Sequence, residues 1–220
     1  MPTPIIRVQR NLLAATERRF LTWLCGRMPA WITPDMLTAT GLAGAVCVFI
    51  GYAASGKDND WLWLALVGYL IHWFGDSMDG SLARFRRIER PSFGYFIDHS
   101  CDGLATLLIL GGLGLSPFVR LDVALLALAG YLLLSIHAFL CARVVSELRL
   151  SHLGAGPTEL RLVLMAFTLA MLIVGTGPGV VDQFLIYDLV VCTAGLALVV
   201  LFIVQTVLTA RHIALEEGEG

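Results

Sequence analysis

Six long apolar runs dominate the chain and restrict what it can fold into. They cover residues 36–56, 61–83, 94–116, 121–142, 158–176 and 184–209. Each run is close to the roughly 20 residues that a helix needs to cross the hydrocarbon core of a bilayer. The 220 residues are 57% hydrophobic and only 15% charged, a composition typical of integral membrane proteins. The pattern predicts an all-α membrane domain over residues 34–212, with six transmembrane helices.

Residues 1–33, before the first apolar run, alternate arginines with bulky apolar residues. The arginines are Arg7, Arg10, Arg18, Arg19 and Arg27. An amphipathic helix of this kind lies in the membrane interface, with its arginine stems on apolar surface and its guanidinium groups in water. We therefore predict an N-terminal interfacial helix before the membrane domain and a solvated acidic tail over residues 213–220 after it.

Basic residues are distributed unequally between the two sides of the predicted bundle. With the N-terminus in the cytoplasm, thirteen of the 15 Lys and Arg residues fall on that side, and only Lys57 and Arg120 fall on the other. The positive-inside rule then places both termini in the cytoplasm. We expect a multi-pass protein of a bacterial inner membrane rather than an organelle membrane. The net charge of −2 gives no indication of a nucleic-acid partner.

Four carboxylates interrupt the second and third apolar runs: Asp76, Asp79, Asp98 and Asp102. An ionised Asp in hydrocarbon costs at least a few kcal/mol, so such a residue is a functional-site hypothesis by default. Residues three or four apart share a helix face, so each pair forms a stripe, and a hairpin of the two helices would bring the stripes together. Divalent cations would relieve the repulsion among the four charges. Oxygen ligands without His or Cys indicate Mg²⁺ or Mn²⁺.

The same stripes carry two glycines and an arginine. Gly80 and Gly94 remove side chains where a ligand can approach the backbone, and Arg84 is placed to meet a phosphate. Metal, phosphate and glycine together indicate displacement at a pyrophosphate, with one carboxylate deprotonating an attacking hydroxyl. Two other interpretations stay open at this point: a proton relay in a carboxylate-based transporter, and a purely structural role for the carboxylates.

The whole run resembles the signature of the CDP-alcohol phosphotransferases, Asp-x2-Asp-Gly-x2-Ala-Arg followed by Gly-x3-Asp-x3-Asp. The resemblance implies that Asp76, Asp79 and Asp98 hold two divalent ions. It also implies that Asp102 completes the metal site and acts as general base, and that CMP is released. The six-helix layout with a preceding interfacial helix resembles the family fold as well.

The nucleotide would lie on the rest of the signature. The resemblance implies that Gly80, Ala83, Arg84 and Gly94 cradle the CDP group. Nine residues separate Arg84 from Gly94, where the family commonly has eight, so the chain departs from the pattern in this loop.

Two further segments bear on the nucleotide and on assembly. Pro34-Asp35-x2-Thr38 resembles a Pro-Asn-x2-Thr segment common in the family, in which Thr38 would reach the nucleotide; capping of the helix N-terminus is the alternative role. The resemblance also suggests a homodimer with one active site per protomer. The small residues of segments 111–114 and 127–130 would permit close helix approach, between protomers or within one chain.

The family divides by donor, and two segments bear on the division. Asp98-His-Ser-Cys-Asp102 resembles the Asp-His-Gly-Cys-Asp run of choline and ethanolamine phosphotransferases, and Gly156-Pro-Thr-Glu159 resembles their Gly-Pro-x-Glu segment. The resemblance implies a CDP-amino-alcohol donor and a diacylglycerol-like acceptor, with His99 and Glu159 beside Asp102 at the acceptor hydroxyl.

The alternative is a CDP-diacylglycerol donor with a polar alcohol acceptor. Such an acceptor needs a polar pocket, and a phosphorylated one needs cationic ligands. The candidates are Arg143, Arg149 and Arg161, which lie in or beside the loop between the apolar runs 121–142 and 158–176. The same arginines also serve as orientation signals, so the donor stays open.

Overall fold

The computed structural model describes residues 6–7, 14–144, 147–148, 157–176 and 186–218. These residues form seven helices and two short strands. In chain order they are β1 (Ile6–Arg7), α1 (Ala14–Cys25), α2 (Pro34–Ala54), α3 (Trp61–Arg86), α4 (Pro91–Gly114), α5 (Leu121–Val144), β2 (Glu147–Leu148), α6 (Pro157–Val174) and α7 (Ile186–Gly218). The two strands pair in parallel, which adds a small non-helical contact to a fold expected to be all-α.

Helices α2 to α7 coincide with the six apolar runs. Among them, α2, α4, α5 and α7 are long and apolar enough to cross a membrane. The prediction of an all-α membrane protein is therefore confirmed, whereas spanning by α3 and α6 stays a prediction. Helix α7 continues to Gly218, so the expected boundary between residues 212 and 213 lies inside a helix.

The interfacial helix is shorter than the predicted segment. Helix α1 has 12 residues, and Gly26 and Pro29 follow its end. Leu21 and Cys25 are buried against Met78 and Leu82 of α3, while Arg18 and Arg19 are exposed. Helix α1 thus packs by an apolar face on the helix that carries the first two carboxylates.

Several helix ends meet at one end of the bundle. The Arg86 guanidinium donates at 2.5–3.4 Å to the carbonyls of Met28, Pro29, Ala30 and Ile32 and so ties the end of α3 to the α1–α2 connection. A salt bridge joins Arg90, just before α4, to Asp35 in the first turn of α2. The start of α6 reaches the same end, since its Thr158 bonds α1.

At the opposite end of the bundle, the starts of α5 and α7 and the end of α6 meet. The Arg120 N–H, just before α5, donates to Asp188 in the first turn of α7 at 2.8 Å. Tyr187 of α7 donates its hydroxyl to the Gly175 carbonyl after α6, at 3.0 Å. The helices therefore alternate in direction, as the six apolar runs predict.

Helices α2 and α3 make the closest crossing, through glycines on both helices. A Cβ at Gly75 would lie 2.2 Å from the Gly41 backbone nitrogen, and one at Gly44 would lie 2.4 Å from the His72 backbone nitrogen. No side chain fits between backbones at this separation, so only glycine allows the contact. The crossing brings the first turns of α2 beside the part of α3 that carries Asp76 and Asp79.

The small residues expected to permit dimer contacts mostly serve contacts within the chain. A Cβ at Gly112 would lie 2.8 Å from the Phe49 Cα, and one at Gly130 would lie 3.0 Å from the Gly195 carbonyl. Gly114 packs against Leu121 and Ala124 in the same way. A Cβ at Gly111 would meet no atom of another segment within 4 Å among the described residues. The homodimer stays a prediction.

Candidate metal and nucleotide site

The four carboxylates come together in one narrow cleft between α2, α3 and α4. Asp76, Asp79, Asp98 and Asp102 all line it. The two stripes therefore face each other, as expected for a hairpin of α3 and α4. The same four residues also line a larger cavity of about 1940 Å³, so the cleft opens into it.

Asp79 is held by α2 and by its own helix. The Thr38 hydroxyl donates to its Oδ2 at 2.6 Å, and the Gly80 N–H donates to its Oδ1 at 2.5 Å. The cap of α2 is Thr33, whose side chain accepts from the Met36 N–H. Capping is therefore the wrong role for Thr38, which instead orients a carboxylate of the cleft; a contact with the nucleotide stays a prediction.

Asp76 pairs with a cation from α6. Arg161 Nη2 lies 2.5 Å from Asp76 Oδ2, and only 8% of Arg161 is exposed. The same nitrogen lies 3.5 Å from His72 Nε2, while His72 Nδ1 lies 3.0 Å from the Gly41 carbonyl. Arg161 thus lies in the wall of the site rather than on the loop between α5 and α6.

The second pair of carboxylates stands beside a histidine. One oxygen each from Asp98 and Asp102 and one ring nitrogen of His99 lie within 4.8 Å of one another. His99 Nδ1 is 3.8 Å from Asp102 Oδ2. The ring packs against Tyr95 and Phe139, at centroid distances of 4.3 and 5.0 Å. Its buried Nε2 has no hydrogen-bond partner within the described parts of the chain.

The donors of the cleft fit hard divalent cations. Four carboxylates supply oxygen ligands to the cleft. Among the residues that the structure describes, a single guanidinium, that of Arg161 in the wall of the larger cavity, pairs with one of them, Asp76. The site therefore carries excess negative charge in a partly buried place, which favours a bound cation. Oxygen donors of this kind suit hard divalent cations such as Mg²⁺, Mn²⁺ and Ca²⁺.

The residues expected to hold the nucleotide border the larger cavity. A Cβ at Gly80 would lie 3.2 Å from Arg84 Nη1, so this glycine leaves room for the guanidinium that lies over it. A Cβ at Gly94 would meet no atom of another described segment within 4 Å, which leaves this face of the helix open to a ligand. Gly80, Ala83, Arg84 and Gly94 all line the cavity.

The residues proposed for the acceptor are only partly brought together. Arg161 lines the cavity, whereas Arg143 is exposed at the end of α5. Arg149 lies outside the described residues. Glu159 is in the first turn of α6 but does not line the cavity, although its neighbours Thr158 and Leu160 do. His99 and Asp102 are neighbours, and Glu159 does not join them in the cavity wall.

Glu17 is a site residue that the sequence reasoning missed. Its Oε1 accepts from Trp73 Nε1 at 2.9 Å and from the Thr158 hydroxyl at 2.8 Å. This carboxylate therefore connects α1, α3 and α6 at the wall of the cavity. The available signal was its position as the sole acidic residue among residues 1–33.

The cavity has an apolar part that extends away from the carboxylates. It passes between α4, α6 and α7, and its lining includes Ile109, Leu113, Val163, Phe167, Val191 and Leu198. Asp102 and Leu113 are eleven residues apart on α4, which is about 16 Å along a helix at 1.5 Å per residue. A ligand with a polar head and a long apolar chain has space at both ends of this cavity.

Comparisons with known proteins agree with this geometry. The family model described as CDP-alcohol phosphatidyltransferase matches residues 31–201. Human cholinephosphotransferase 1 is 32% identical over 108 residues, which cover 46% of this chain and 26% of the human protein. Bovine (Bos taurus) cholinephosphotransferase 1 is 32% identical over 117 residues, which cover 50% of this chain and 28% of that protein. The chain thus spans less than a third of the length of these relatives.

An archaeal relative is covered more fully. Archaetidylinositol phosphate synthase of Methanothermobacter thermautotrophicus is 32% identical over 125 residues. The match covers 57% of this chain and 60% of that synthase.

Proposed function

The chain belongs to the CDP-alcohol phosphatidyltransferase family, and from this premise we propose that it is a membrane enzyme of phospholipid synthesis. It transfers a substituted phosphate from a CDP-linked donor to the hydroxyl of an acceptor alcohol and releases CMP. The observation that carries the proposal is the cleft lined by Asp76, Asp79, Asp98 and Asp102, which opens into a cavity with a polar and an apolar part.

The proposed roles follow from the chemistry of each group. Two divalent ions, Mg²⁺ or Mn²⁺, held by the four carboxylates, supply the positive charge that the pyrophosphate oxygens require. Gly80, Ala83, Arg84 and Gly94 hold the CDP group, with the Arg84 guanidinium on a phosphate.

Asp102 is the proposed general base. The acceptor oxygen forms a bond to the phosphorus that carries the donor's alcohol, and the pyrophosphate bond breaks. CMP leaves with the bridging oxygen, and the hydroxyl proton passes to Asp102. His99, whose Nδ1 lies 3.8 Å from Asp102 Oδ2, stands beside the base at the acceptor hydroxyl. Because Glu159 does not line the cavity, the proposal needs no proton transfer to it.

For the substrates we propose a CDP-amino-alcohol donor and a diacylglycerol-like acceptor. The Asp98–Asp102 run and the Gly156–Glu159 segment support this choice, and so do the relatives named as cholinephosphotransferases. The apolar part of the cavity offers a path for an acyl chain, with the lipid hydroxyl near Asp102.

The second candidate is a CDP-diacylglycerol donor with a polar acceptor. The relative named archaetidylinositol phosphate synthase supports it. Against it, Arg161 already pairs with Asp76, and it is the one of the three candidate arginines that lines the cavity among the described residues.

One experiment separates the candidates. The purified full chain in lipid vesicles with Mn²⁺ receives labelled CDP-choline, CDP-ethanolamine or CDP-diacylglycerol, each with diacylglycerol or polar alcohols. We expect label in lipid from a CDP-amino alcohol, with CMP release that EDTA abolishes. A new labelled phospholipid formed only from CDP-diacylglycerol and a polar alcohol would overturn the donor assignment alone. No CMP from any donor, together with proton-coupled uptake into vesicles, would replace the enzyme by a carboxylate-based transporter.

We also propose the arrangement in the membrane. Helices α2 to α7 all span a bacterial inner membrane, and both termini and the cleft face the cytoplasm, because thirteen of the 15 basic residues lie on that side. Labelling of a Lys57→Cys variant from outside and of a Gly218→Cys variant only from inside would support this orientation.

We further propose that two protomers form a homodimer. A native mass measurement that finds only monomers would contradict this.

A further inference from the structure

Arg161 is a buried cation in direct contact with a proposed metal ligand. Its Nη2 lies 2.5 Å from Asp76 Oδ2, and the side chains of Arg161 and Asp76 are 10% and 22% exposed. The cation comes from α6 and the carboxylate from α3, so the contact is tertiary and does not arise from neighbouring turns of one helix. A carboxylate this poorly solvated needs a positive partner or a strong set of hydrogen-bond donors.

His72 holds the guanidinium in place. The Gly41 carbonyl can only accept a hydrogen bond, so His72 Nδ1, 3.0 Å away, carries the proton of the neutral ring. His72 Nε2 then has a lone pair and accepts from Arg161 Nη2 at 3.5 Å. His72 and Asp76 are one turn apart on α3, so the guanidinium meets two acceptors on one helix face.

The backbone of Arg161 is also held near α3. Thr158, three residues earlier on the same face of α6, donates to Glu17 at 2.8 Å. Glu17 accepts from Trp73 of α3 at 2.9 Å as well. The first turn of α6 is thereby tied to α1 and α3, and Arg161 is held beside Asp76 in the wall of the cavity.

We propose that Arg161 is the resident counter-ion of Asp76 and competes with the divalent cation for that carboxylate. Its positive charge sets the cation concentration at which the site fills. The inference rests on the proposed function, because it takes Asp76 to be a metal ligand. A cation that reaches Asp76 must displace the guanidinium from Oδ2 or bind beside a like charge, and both lower its affinity.

Thr38 provides the contrast within the same cleft. It donates a neutral hydrogen bond to Asp79 at 2.6 Å, orients the carboxylate and adds no charge. Loss of such an orienting partner weakens metal binding. Loss of the Arg161 charge strengthens it. The two contacts therefore predict opposite changes in affinity, which a general disturbance of the site would not produce.

The test measures Mn²⁺ binding directly, by electron paramagnetic resonance of the full chain in lipid nanodiscs. Arg161→Gln keeps a hydrogen-bond donor but removes the charge, and we expect it to bind Mn²⁺ about tenfold more tightly than the unmodified protein. Arg161→Lys should stay near the unmodified affinity, and Thr38→Val should bind more weakly. The matched control is Arg211→Gln, which removes the same charge from an exposed position of α7 and should leave the Mn²⁺ affinity unchanged.

An Arg161→Gln variant whose affinity is unchanged or weaker would overturn the proposal. If this variant is recovered folded only when Mn²⁺ is present throughout purification, the cation has replaced the guanidinium, as expected. Failure to fold both with and without Mn²⁺ would contradict the proposal. If the unmodified protein releases CMP and binds Mn²⁺ but Arg161→Gln binds no more tightly, this inference fails alone. If the unmodified protein binds no Mn²⁺, the proposed function fails too.

Discussion

Replacing Gly75 by alanine tests the α2–α3 crossing on which the site depends. The new Cβ would lie 2.2 Å from the Gly41 nitrogen and 2.5 Å from the Leu37 carbonyl oxygen, both backbone atoms of α2. Backbone atoms in a packed helix cannot turn aside as a side chain can, so the two helices must separate. A separation of roughly 1 Å restores ordinary contact distances in a close-packed interior.

This displacement acts directly on the cleft. Thr38 lies on α2 between the two positions that the new methyl group would push, and its hydroxyl is 2.6 Å from Asp79 Oδ2 on α3. Adding about 1 Å takes this contact out of the normal hydrogen-bond range. Overpacking should lower the free energy of unfolding by about 1–3 kcal/mol. A shift of about 1 Å at catalytic groups should reduce CMP release by about 100-fold.

The assay compares Gly75→Ala with Gly111→Ala in the same lipid vesicles. A Cβ at Gly111 would meet no atom of another segment within 4 Å in the described parts of the chain, so this control adds the same methyl group without a clash there. EDTA-sensitive CMP release, Mn²⁺ affinity and thermal unfolding are measured for both. If Gly75→Ala stays within about threefold of Gly111→Ala in CMP release and Mn²⁺ affinity, the crossing does not position the carboxylates and the reasoning is refuted.

Three further changes probe separate contacts. Asp102→Asn should abolish turnover yet leave nucleotide binding largely intact in equilibrium dialysis, because it removes the base but keeps the shape. A loss of nucleotide binding as large as the loss of turnover would contradict the role of Asp102 as general base. Glu17→Ala leaves the Trp73 and Thr158 donors without their acceptor and should cost about 1–3 kcal/mol in thermal unfolding, whereas Glu17→Gln, which retains an acceptor oxygen, should cost less; equal effects would contradict this account. Arg86→Met should destabilise by a similar amount, and accelerated proteolysis between α1 and α2 would report it, since four carbonyls lose their shared donor; an unchanged cleavage rate would refute it.

The helices and the juxtaposition of the carboxylates were predictable because both follow from local patterns. Apolar length predicts a spanning helix, and offsets of three and four residues predict a shared face. A short turn between α3 and α4 then makes the two helices antiparallel neighbours, so the two stripes can face each other. These relations need no knowledge of distant parts of the chain.

The partners of the carboxylates were not predictable in this way. Arg161 and Asp76 are separated by 85 positions, and Glu17 and Trp73 by 56. No periodicity relates residues so far apart, and their contact depends on how α1 and α6 pack on α3. The position of Arg161 at the border of a cytoplasmic loop predicts an acceptor ligand, whereas α6 begins at Pro157 and carries this arginine into the cavity wall beside Asp76.

Thr38 shows the same limit at shorter range. A threonine after Pro34 suggested capping of α2, but Thr33 already occupies the cap. The glycines at 41 and 75 bring α3 so close that the Thr38 hydroxyl bonds Asp79. The pattern around Thr38 describes the start of a helix correctly and still misassigns the side chain, because its partner comes from another helix.

The departure from the signature, one additional residue between Arg84 and Gly94, lies in a loop that contacts α2. A salt bridge joins Asp35 to Arg90 of that longer loop, and the Arg90 guanidinium also lies 4.2 Å from the centre of the Phe93 ring. The pair is exposed, with side chains 52% and 57% accessible, so it contributes little to stability and serves as a contact between this loop and α2 at the edge of the cavity.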